Sequence, residues 1–115
     1  CDASAAFKQT YIDAEEGDIE IIKSPVGMPG RAILSSFIEK VKAGKKQPKK
    51  CPFQCIRTCD ISKSPYCIIV ALMNALKGNF ESGYAFAGAN AFRSTGIFSV
   101  KEVFQSLLQE YRSSK

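Results

Sequence analysis

Four of the chain's five cysteines lie within the segment CPFQCIRTCDISKSPYC, residues 51–67, with the spacing C-x3-C-x3-C-x7-C. If residues 51–59 formed one straight helix, Cys51, Cys55 and Cys59 would share a face, but the first and last would lie about 12 Å apart along the axis. Thiolates around one zinc ion lie within about 4 Å of each other. A single helix therefore cannot bring these cysteines to one metal.

A chain that folds back on itself could bring the thiols together. Pro52 follows Cys51 directly, and the loop-like stretch CDISKSP precedes Cys67. We expect Cys67 in the first turn of a helix, where free backbone N–H groups and the helix dipole stabilise a thiolate. The spacing matches no zinc or ferredoxin pattern. The segment is therefore either a zinc or iron–sulfur site or a set of free or adventitiously bridged thiols, and the ligands of the metal would be Cys51, Cys55, Cys59 and Cys67.

The size and composition of the chain fit one globular unit, with 115 residues of which 45% are apolar and 23% charged. Its longest apolar runs are shorter than the roughly 20 residues that cross a bilayer, so we expect no membrane partner. The first residue is Cys1 and no secretion signal follows, which is typical of a piece of a longer polypeptide. Clustered thiols without secretory features favour a reducing compartment, and we predict a cytoplasmic protein.

The net charge of +5 comes largely from the lysine-rich stretch KAGKKQPKK, residues 42–50. A basic stretch that binds nucleic acid is usually accompanied by stacking aromatic residues or by a known binding motif. Neither is present here. We interpret the stretch as a solvated connector and expect no nucleic-acid partner.

Periodicity and capping signals predict a mainly α fold with minor β structure. A first helix is expected within residues 1–17, with Asp2 or Ser4 as its cap and Gly17 at its end. The stretch DIEIIKS, residues 18–24, is typical of a strand with Ile19 and Ile21 on one side.

Three further helices are expected. One covers residues 31–43, with the apolar stripe Ile33, Leu34, Phe37, Ile38 and Val41. Another has Ser64 as its cap, Pro65 at its first position and Gly78 as its terminator, and its predicted stripe is Ile68, Ile69, Leu72, Met73 and Leu76. The last begins with the capping box Ser99-x-x-Glu102 and has the stripe Val103, Phe104, Leu107, Leu108 and Tyr111.

Two glycine-rich stretches lie between these elements. SPVGMPG, residues 24–30, could receive an anion on backbone N–H groups, but it matches no phosphate-binding motif and reads better as a structural turn. NFESGYAFAGANAFRSTG, residues 79–96, is weakly strand-like only at YAFAG. The chain has no histidine and no nucleophile motif, so we predict no catalytic residue within it.

Four stretches in order resemble the C-terminal part of the nitronate monooxygenase family, formerly called 2-nitropropane dioxygenases, which includes flavin-dependent enoyl-ACP reductases. They are DIEIIKSPVGMPGRAI, CPFQCIRTCDISKSPYCIIVALMNALKG, GYAFAGANAFR and SVKEVFQSL, and the resemblance covers essentially the whole chain. It implies a small helical lid domain of an FMN-dependent TIM-barrel enzyme, with residues 1–17 as a last barrel helix and 18–115 as the lid. The flavin-phosphate loops and a catalytic histidine would lie upstream, in an N-terminal barrel of the same polypeptide.

The resemblance also implies which residues lie at the flavin and at the substrate. The small-residue segment of Ala87, Gly88, Ala89 and Asn90 would run along the FMN ring, and Met28 and Arg31 would face a small-molecule substrate. The parent protein would oxidise alkyl nitronates or reduce an enoyl thioester, and the isolated chain would be inactive. Because the best-known reductases lack the four cysteines, the family assigns them no role.

A second hypothesis follows from composition alone. The chain could be a free-standing, cysteine-rich metal-binding module that contacts a partner. In either case the apolar stripes on residues 31–43 and 68–76 could pack on each other, on an absent barrel or on a second copy, so a homo-oligomer is possible.

Overall fold

The structure is a computed structural model that describes residues 1–45 and 50–114, so residues 46–49 of the predicted connector lie outside the described residues. Two short 3₁₀ turns, at Glu16–Asp18 and Ala91–Arg93, accompany the regular elements. These elements are α1 (Ala5–Asp13), β1 (Ile19–Ile22), β2 (Gly30–Ile33), α2 (Ser36–Lys42), α3 (Ile68–Leu76) and α4 (Val100–Ser113). The predicted class, mainly α with minor β, is confirmed.

A β-hairpin organises the first half of the chain. Strands β1 and β2 pair antiparallel, with Ile21 opposite Arg31, and the connection contains Gly27 at a φ of +86°. Glycine adopts this left-handed conformation without a steric cost, which confirms the structural turn. The predicted strand is present as β1, in which Ile21 is 66% exposed and Ile22 is buried.

A third extended segment continues the sheet beyond β2. Ala32 forms an antiparallel bridge with Phe86, and the Ile33 N–H donates to the Ala85 carbonyl at 3.0 Å. The Ala87 N–H donates to the Arg31 carbonyl, also at 3.0 Å. The strand-like reading of YAFAG is therefore confirmed, and its partner is the β2 strand more than 50 residues earlier in the chain.

The helix predicted for residues 31–43 is wrong at its start. Residues 31–33 belong to β2, and α2 begins at Ser36 after the side chain of Ser35 accepts a hydrogen bond from the Ile38 N–H. The Arg31 carbonyl, which a helix from residue 31 would bond to the N–H four residues later, instead accepts from the Ala87 N–H. Long-range pairing with residues 85–87 has overridden a locally helical pattern.

The helix predicted with Ser64 as its cap starts three residues later, with Cys67 as its N-cap and Ile68 as its first residue. Ser64 does not cap it, because its hydroxyl and its N–H both donate to the Asp60 carbonyl and close a turn. The end of the helix is as predicted, with Gly78 at a φ of +87°. The buried residues of α3 are Ala71 and Ala75, whereas the predicted core residue Met73 is 45% exposed.

The two terminal helices keep their predicted caps. The Ser4 side chain accepts from the Phe7 N–H at the start of α1, and the Ser99–Glu102 capping box opens α4. Helix α1 ends at Asp13, before Gly17, because the 3₁₀ turn at Glu16–Asp18 takes over the chain. No helix in the described part of the chain is long and apolar enough to span a bilayer.

Three aromatic rings form the centre of the core. Phe37, Tyr66 and Tyr84 lie with ring centroids 5.3 to 6.1 Å apart, and Tyr84 is fully buried. The hydroxyls of Tyr66 and Tyr84 are 3.2 Å apart, and the Tyr66 hydroxyl also lies 3.3 Å from the Lys23 carbonyl. Since that carbonyl can only accept, both contacts are satisfied when the Tyr66 hydroxyl donates to the carbonyl and accepts a hydrogen bond from the Tyr84 hydroxyl.

Gly83 lets the segment that carries Tyr84 approach the backbone of α3. A Cβ atom at this position would overlap the Ala71 carbonyl oxygen and lie 2.6 Å from the Ala75 nitrogen. Ala71 and Ala75 are both buried and small, so the approach is close on both sides. The position of Tyr84 in the core therefore depends on the missing side chain at residue 83.

We predict that Gly83→Ala lowers the free energy of unfolding by about 3 kcal/mol, because the new methyl group meets backbone atoms that cannot move independently. Urea unfolding followed by circular dichroism measures the loss. The matched control is Gly17→Ala, where a Cβ would meet nothing within 4 Å; its effect should stay within about 0.5 kcal/mol. Equal effects of the two substitutions would contradict the close approach.

A second prediction concerns alkaline pH. Burial, together with the hydrogen bond to Tyr66, raises the pKa of the Tyr84 hydroxyl far above its ordinary value. Below pH of about 10 both the folded and unfolded states keep this proton; above it the unfolded state loses the proton first, so stability falls as pH rises. Urea unfolding at several pH values from about 8 to about 11 measures this loss of unfolding free energy.

The control for the alkaline prediction is Tyr84→Phe. It should cost about 1 kcal/mol at neutral pH through the lost hydrogen bond, and its stability should then fall less steeply with pH than that of the wild type. Identical slopes for the two proteins would show that other groups cause the alkaline loss.

Candidate functional site

The predicted flavin and substrate residues lie at one end of the sheet. Because β2 and residues 85–87 run antiparallel with Arg31 bonded to Ala87, the residues before Arg31 run beside the residues after Ala87. The hairpin connection that holds Met28 therefore reaches the same end as Gly88, Ala89 and Asn90. We call the set of Met28, Arg31 and residues 87–90 the sheet-end site.

The sheet-end site is open and carries one positive charge. Met28 is 72% exposed, and Arg31 is exposed on the face opposite the buried Ala32. The register places Ile21, also exposed, directly across from Arg31. Within the described residues, Arg31 has no ion-pair partner. The site thus combines apolar surface with a guanidinium that is available to an anionic group.

The backbone at Gly88 is accessible to a flat ring. A Cβ at this residue would meet nothing within 4 Å, and Gly88, Ala89 and Asn90 are all exposed. Local hydrogen bonds fix the backbone of this segment, because the Gly88 carbonyl accepts from the Ala91 N–H and the Asn90 carbonyl accepts from the Arg93 N–H. The small, exposed residues therefore fit a wall against which FMN could lie.

Two aromatic residues that the sequence analysis did not select support this end of the sheet. The Phe86 ring lies over Gly30, where a Cβ would come within 2.5 Å of a ring carbon. The Tyr11 hydroxyl donates to the Phe86 carbonyl at 2.6 Å and ties α1 to the segment. Glycine at position 30 within a strand was the available sequence signal, since it indicates a close neighbour.

The four cysteines of residues 51–67 line a single pocket of about 340 Å³. Its walls are largely apolar and include Ile56, Ile61, Tyr66 and Ile68. Cys51 and Cys55 are exposed, whereas Cys59 and Cys67 are half-buried, and all are free thiols. The chain does fold back here, as the sequence analysis required for the thiols to meet.

The structure does not support the predicted metal site at Cys51, Cys55, Cys59 and Cys67. Among residues 1–45 and 50–114, no group of three or more cysteine or carboxylate side chains is placed to hold a metal ion. The four cysteines line a pocket, and the Cys59 sulfur lies 3.4 Å from the Ser64 hydroxyl. The hypothesis of a free-standing metal-binding module loses its support with this site.

Comparison with known proteins decides the family. The profile of the nitronate monooxygenase family matches residues 1–110 of the 115. The chain belongs to the nitronate monooxygenase family. This match confirms the resemblance seen in the sequence. Members of this family are flavin oxidoreductases. A search of curated proteins gave no match.

The fold of the chain is similar to that of a solved structure. FabK from Thermotoga maritima superposes with a TM-score of 0.72 over 98% of this chain, at 18% sequence identity. The match covers 33% of the FabK chain, so the present chain spans about a third of the length of that protein. At this identity the likeness establishes the fold alone.

For this member of the family, we predict that folding does not depend on a metal. Because the thiols do not converge, a chelator should leave the helical circular-dichroism signal and the unfolding midpoint unchanged. Elemental analysis of protein purified without oxygen should give well under one zinc or iron per chain. One tightly held metal per chain, lost together with helicity on chelation, would contradict this prediction.

Proposed function

We propose that the chain forms the wall over the flavin and the substrate pocket of an FMN-dependent nitronate monooxygenase. The family membership supports a flavin oxidoreductase, and the open backbone at Gly88 supports contact with a flat ring. FMN, when bound, would accept the electrons that substrate oxidation releases. The contribution of this chain is to position the ring and the substrate and to exclude water from them.

The observation that carries the choice of substrate is Arg31, which lies beside apolar surface and has no ion-pair partner among residues 1–45 and 50–114. An alkyl nitronate has a negative charge spread over two oxygens and an apolar tail. The forked guanidinium suits two such oxygens, and exposed Met28 and Ile21 suit the tail. An enoyl thioester is neutral at its reacting end and would make less use of this charge.

We propose that the histidine-free chain works with an N-terminal barrel of the same polypeptide, which would supply the catalytic base and the phosphate contacts. The apolar face of α4 supports this partner, because its side chains are 45% to 74% exposed. That face consists of Val100, Val103, Phe104, Leu107, Leu108 and Tyr111. In this proposal residues 1–17 include the last barrel helix and residues 18–115 are the lid.

The proposed cellular setting is the cytoplasm, where the free thiols of residues 51–67 would stay reduced. The exposed face of α4 would also suit a homo-oligomer, in which a second copy covers the part of this apolar face that the barrel does not cover. We regard both as parts of the proposal that follow from the family and from the surface.

The first test is FMN binding measured by flavin fluorescence. The chain alone should bind FMN more weakly than about 1 μM, because a cofactor held mainly by barrel loops loses most of its contacts without them. The polypeptide that joins the barrel to this chain should bind FMN and consume propyl nitronate. Tight FMN binding by the chain alone would contradict the division of roles.

The second test concerns Arg31 in the barrel-containing polypeptide. Arg31→Gln should raise the KM for propyl nitronate about tenfold, the loss of roughly 1.4 kcal/mol that one charged hydrogen bond supplies. Lys77→Gln, which removes the same charge from an exposed position at the end of α3, is the control and should leave KM unchanged. Turnover of an enoyl thioester with no turnover of nitronate would overturn the assignment of substrate.

A further inference from the structure

The cysteine pocket has two thiols at its mouth and two in its wall. Cys51 and Cys55 are exposed and line the same pocket of about 340 Å³. Cys59 is half-buried and contacts the Ser64 hydroxyl, and Cys67 is the half-buried N-cap of α3. A reagent from solution therefore meets Cys51 and Cys55 first.

A tight turn holds the Cys51 sulfur near Cys55. The Gln54 N–H donates to the Cys51 sulfur at 3.3 Å, and Gln54 has a φ of +44°, in the left-handed region. From standard bond lengths, the sulfur can then lie no further than about 9 Å from the Cα of Cys55.

The chain around these two thiols can rearrange at low cost. Residues 50–66 contain turns but no helix or strand, and their backbone N–H groups bond to nearby carbonyls, as Cys59 does to Ile56 and Lys63 to Asp60. Closing a short loop in such a segment breaks no sheet or helix ladder. The remaining approach of Cys51 and Cys55 to bonding distance is therefore feasible.

The electrostatics of the pocket favour an anion. Among the described residues that line the pocket, Arg57 is the one with a charged side chain, and Lys50 directly precedes Cys51 in the sequence. The nearest acidic residue in sequence, Asp60, is paired with Lys63 at 3.3 Å. A negatively charged reagent is thus attracted to the mouth, and a positively charged one is repelled.

From these observations we propose that Cys51 and Cys55 form a thiol–disulfide exchange site that reacts with small anionic disulfides. The Cys51 thiolate attacks one sulfur of the disulfide, the disulfide bond breaks, and one small thiolate leaves. The Cys55 thiolate then attacks the Cys51 sulfur of the mixed disulfide and releases the second small thiolate. The two protons of the protein thiols pass to the two released thiolates, so one disulfide is reduced and the protein pair is oxidised.

The experiment exposes the reduced chain to glutathione disulfide and follows it by intact mass and peptide mapping. The expected product has lost the two thiol hydrogens and contains a Cys51–Cys55 bridge, with no glutathione retained. Cys51 should react about tenfold or more faster than exposed Cys1, which serves as an internal reference within the same chain. In denaturant, where the turn and the pocket are absent, the two rates should become similar.

Two variants separate attack from resolution. Cys55→Ser should stop the reaction at a mixed disulfide on Cys51, visible as retained glutathione, because the second thiol is missing. Cys1→Ser should change neither the product nor its rate. Equal rates at Cys1 and Cys51 in the folded chain, a bridge between any other pair, or a stable mixed disulfide in the wild type would each overturn the proposal.

The electrostatic part has its own test with cystamine, a cationic disulfide. The rate with glutathione disulfide should exceed the rate with cystamine at low salt, and Arg57→Gln should reduce that preference several-fold. Lys77→Gln, remote from the pocket, should leave the preference unchanged. A preference for cystamine, or no response to Arg57→Gln, would overturn the assignment of an anionic substrate.

Discussion

The pairing of β2 with residues 85–87 is the constraint on which the rest of the structure depends. Two hydrogen bonds of 3.0 Å join stretches more than 50 residues apart. On one side of this pairing, Tyr84 enters the aromatic core and Gly83 touches α3. On the other side, Arg31 and residues 87–90 meet at the end of the sheet. The same contact therefore stabilises the core and assembles the proposed site.

The features that sequence alone predicted are those determined within a few residues. The capping box of Ser99 and Glu102, the Ser4 cap and the left-handed Gly78 need only their neighbours, and all three are present. The family was also accessible, because its motifs are contiguous stretches. For the candidate site, the motifs could supply the residues, but the proximity of Arg31 to Ala87 became visible only with the sheet.

The features that the sequence analysis predicted wrongly depend on hydrogen bonds and contacts that the local pattern does not reveal. Residues 31–33 fit a helical stripe, but the Arg31 carbonyl accepts from the distant Ala87 N–H instead of from a helical neighbour. Ser64 resembles a cap, but its hydroxyl donates to the Asp60 carbonyl. The burial of Ala71 and Ala75 in place of larger α3 residues has the same origin, because Gly83 demands a small partner. The spacing of hydrophobic residues along a helix does not reveal which distant backbone segment will pack against that helix.

The shape of the chain bears on why it would work as part of a larger protein. Its radius of gyration is 16.4 Å, against about 13 Å for a compact chain of this length, and its longest extent is 53 Å. The residues of α4 are exposed on every face, and none of them belongs to the buried core cluster. An amphipathic helix with a capping box and an uncovered apolar stripe gains most of its stability from packing, so it needs a surface that this chain does not provide. The N-terminal barrel that we propose as its partner would provide that surface and would also close the open side of the sheet-end site.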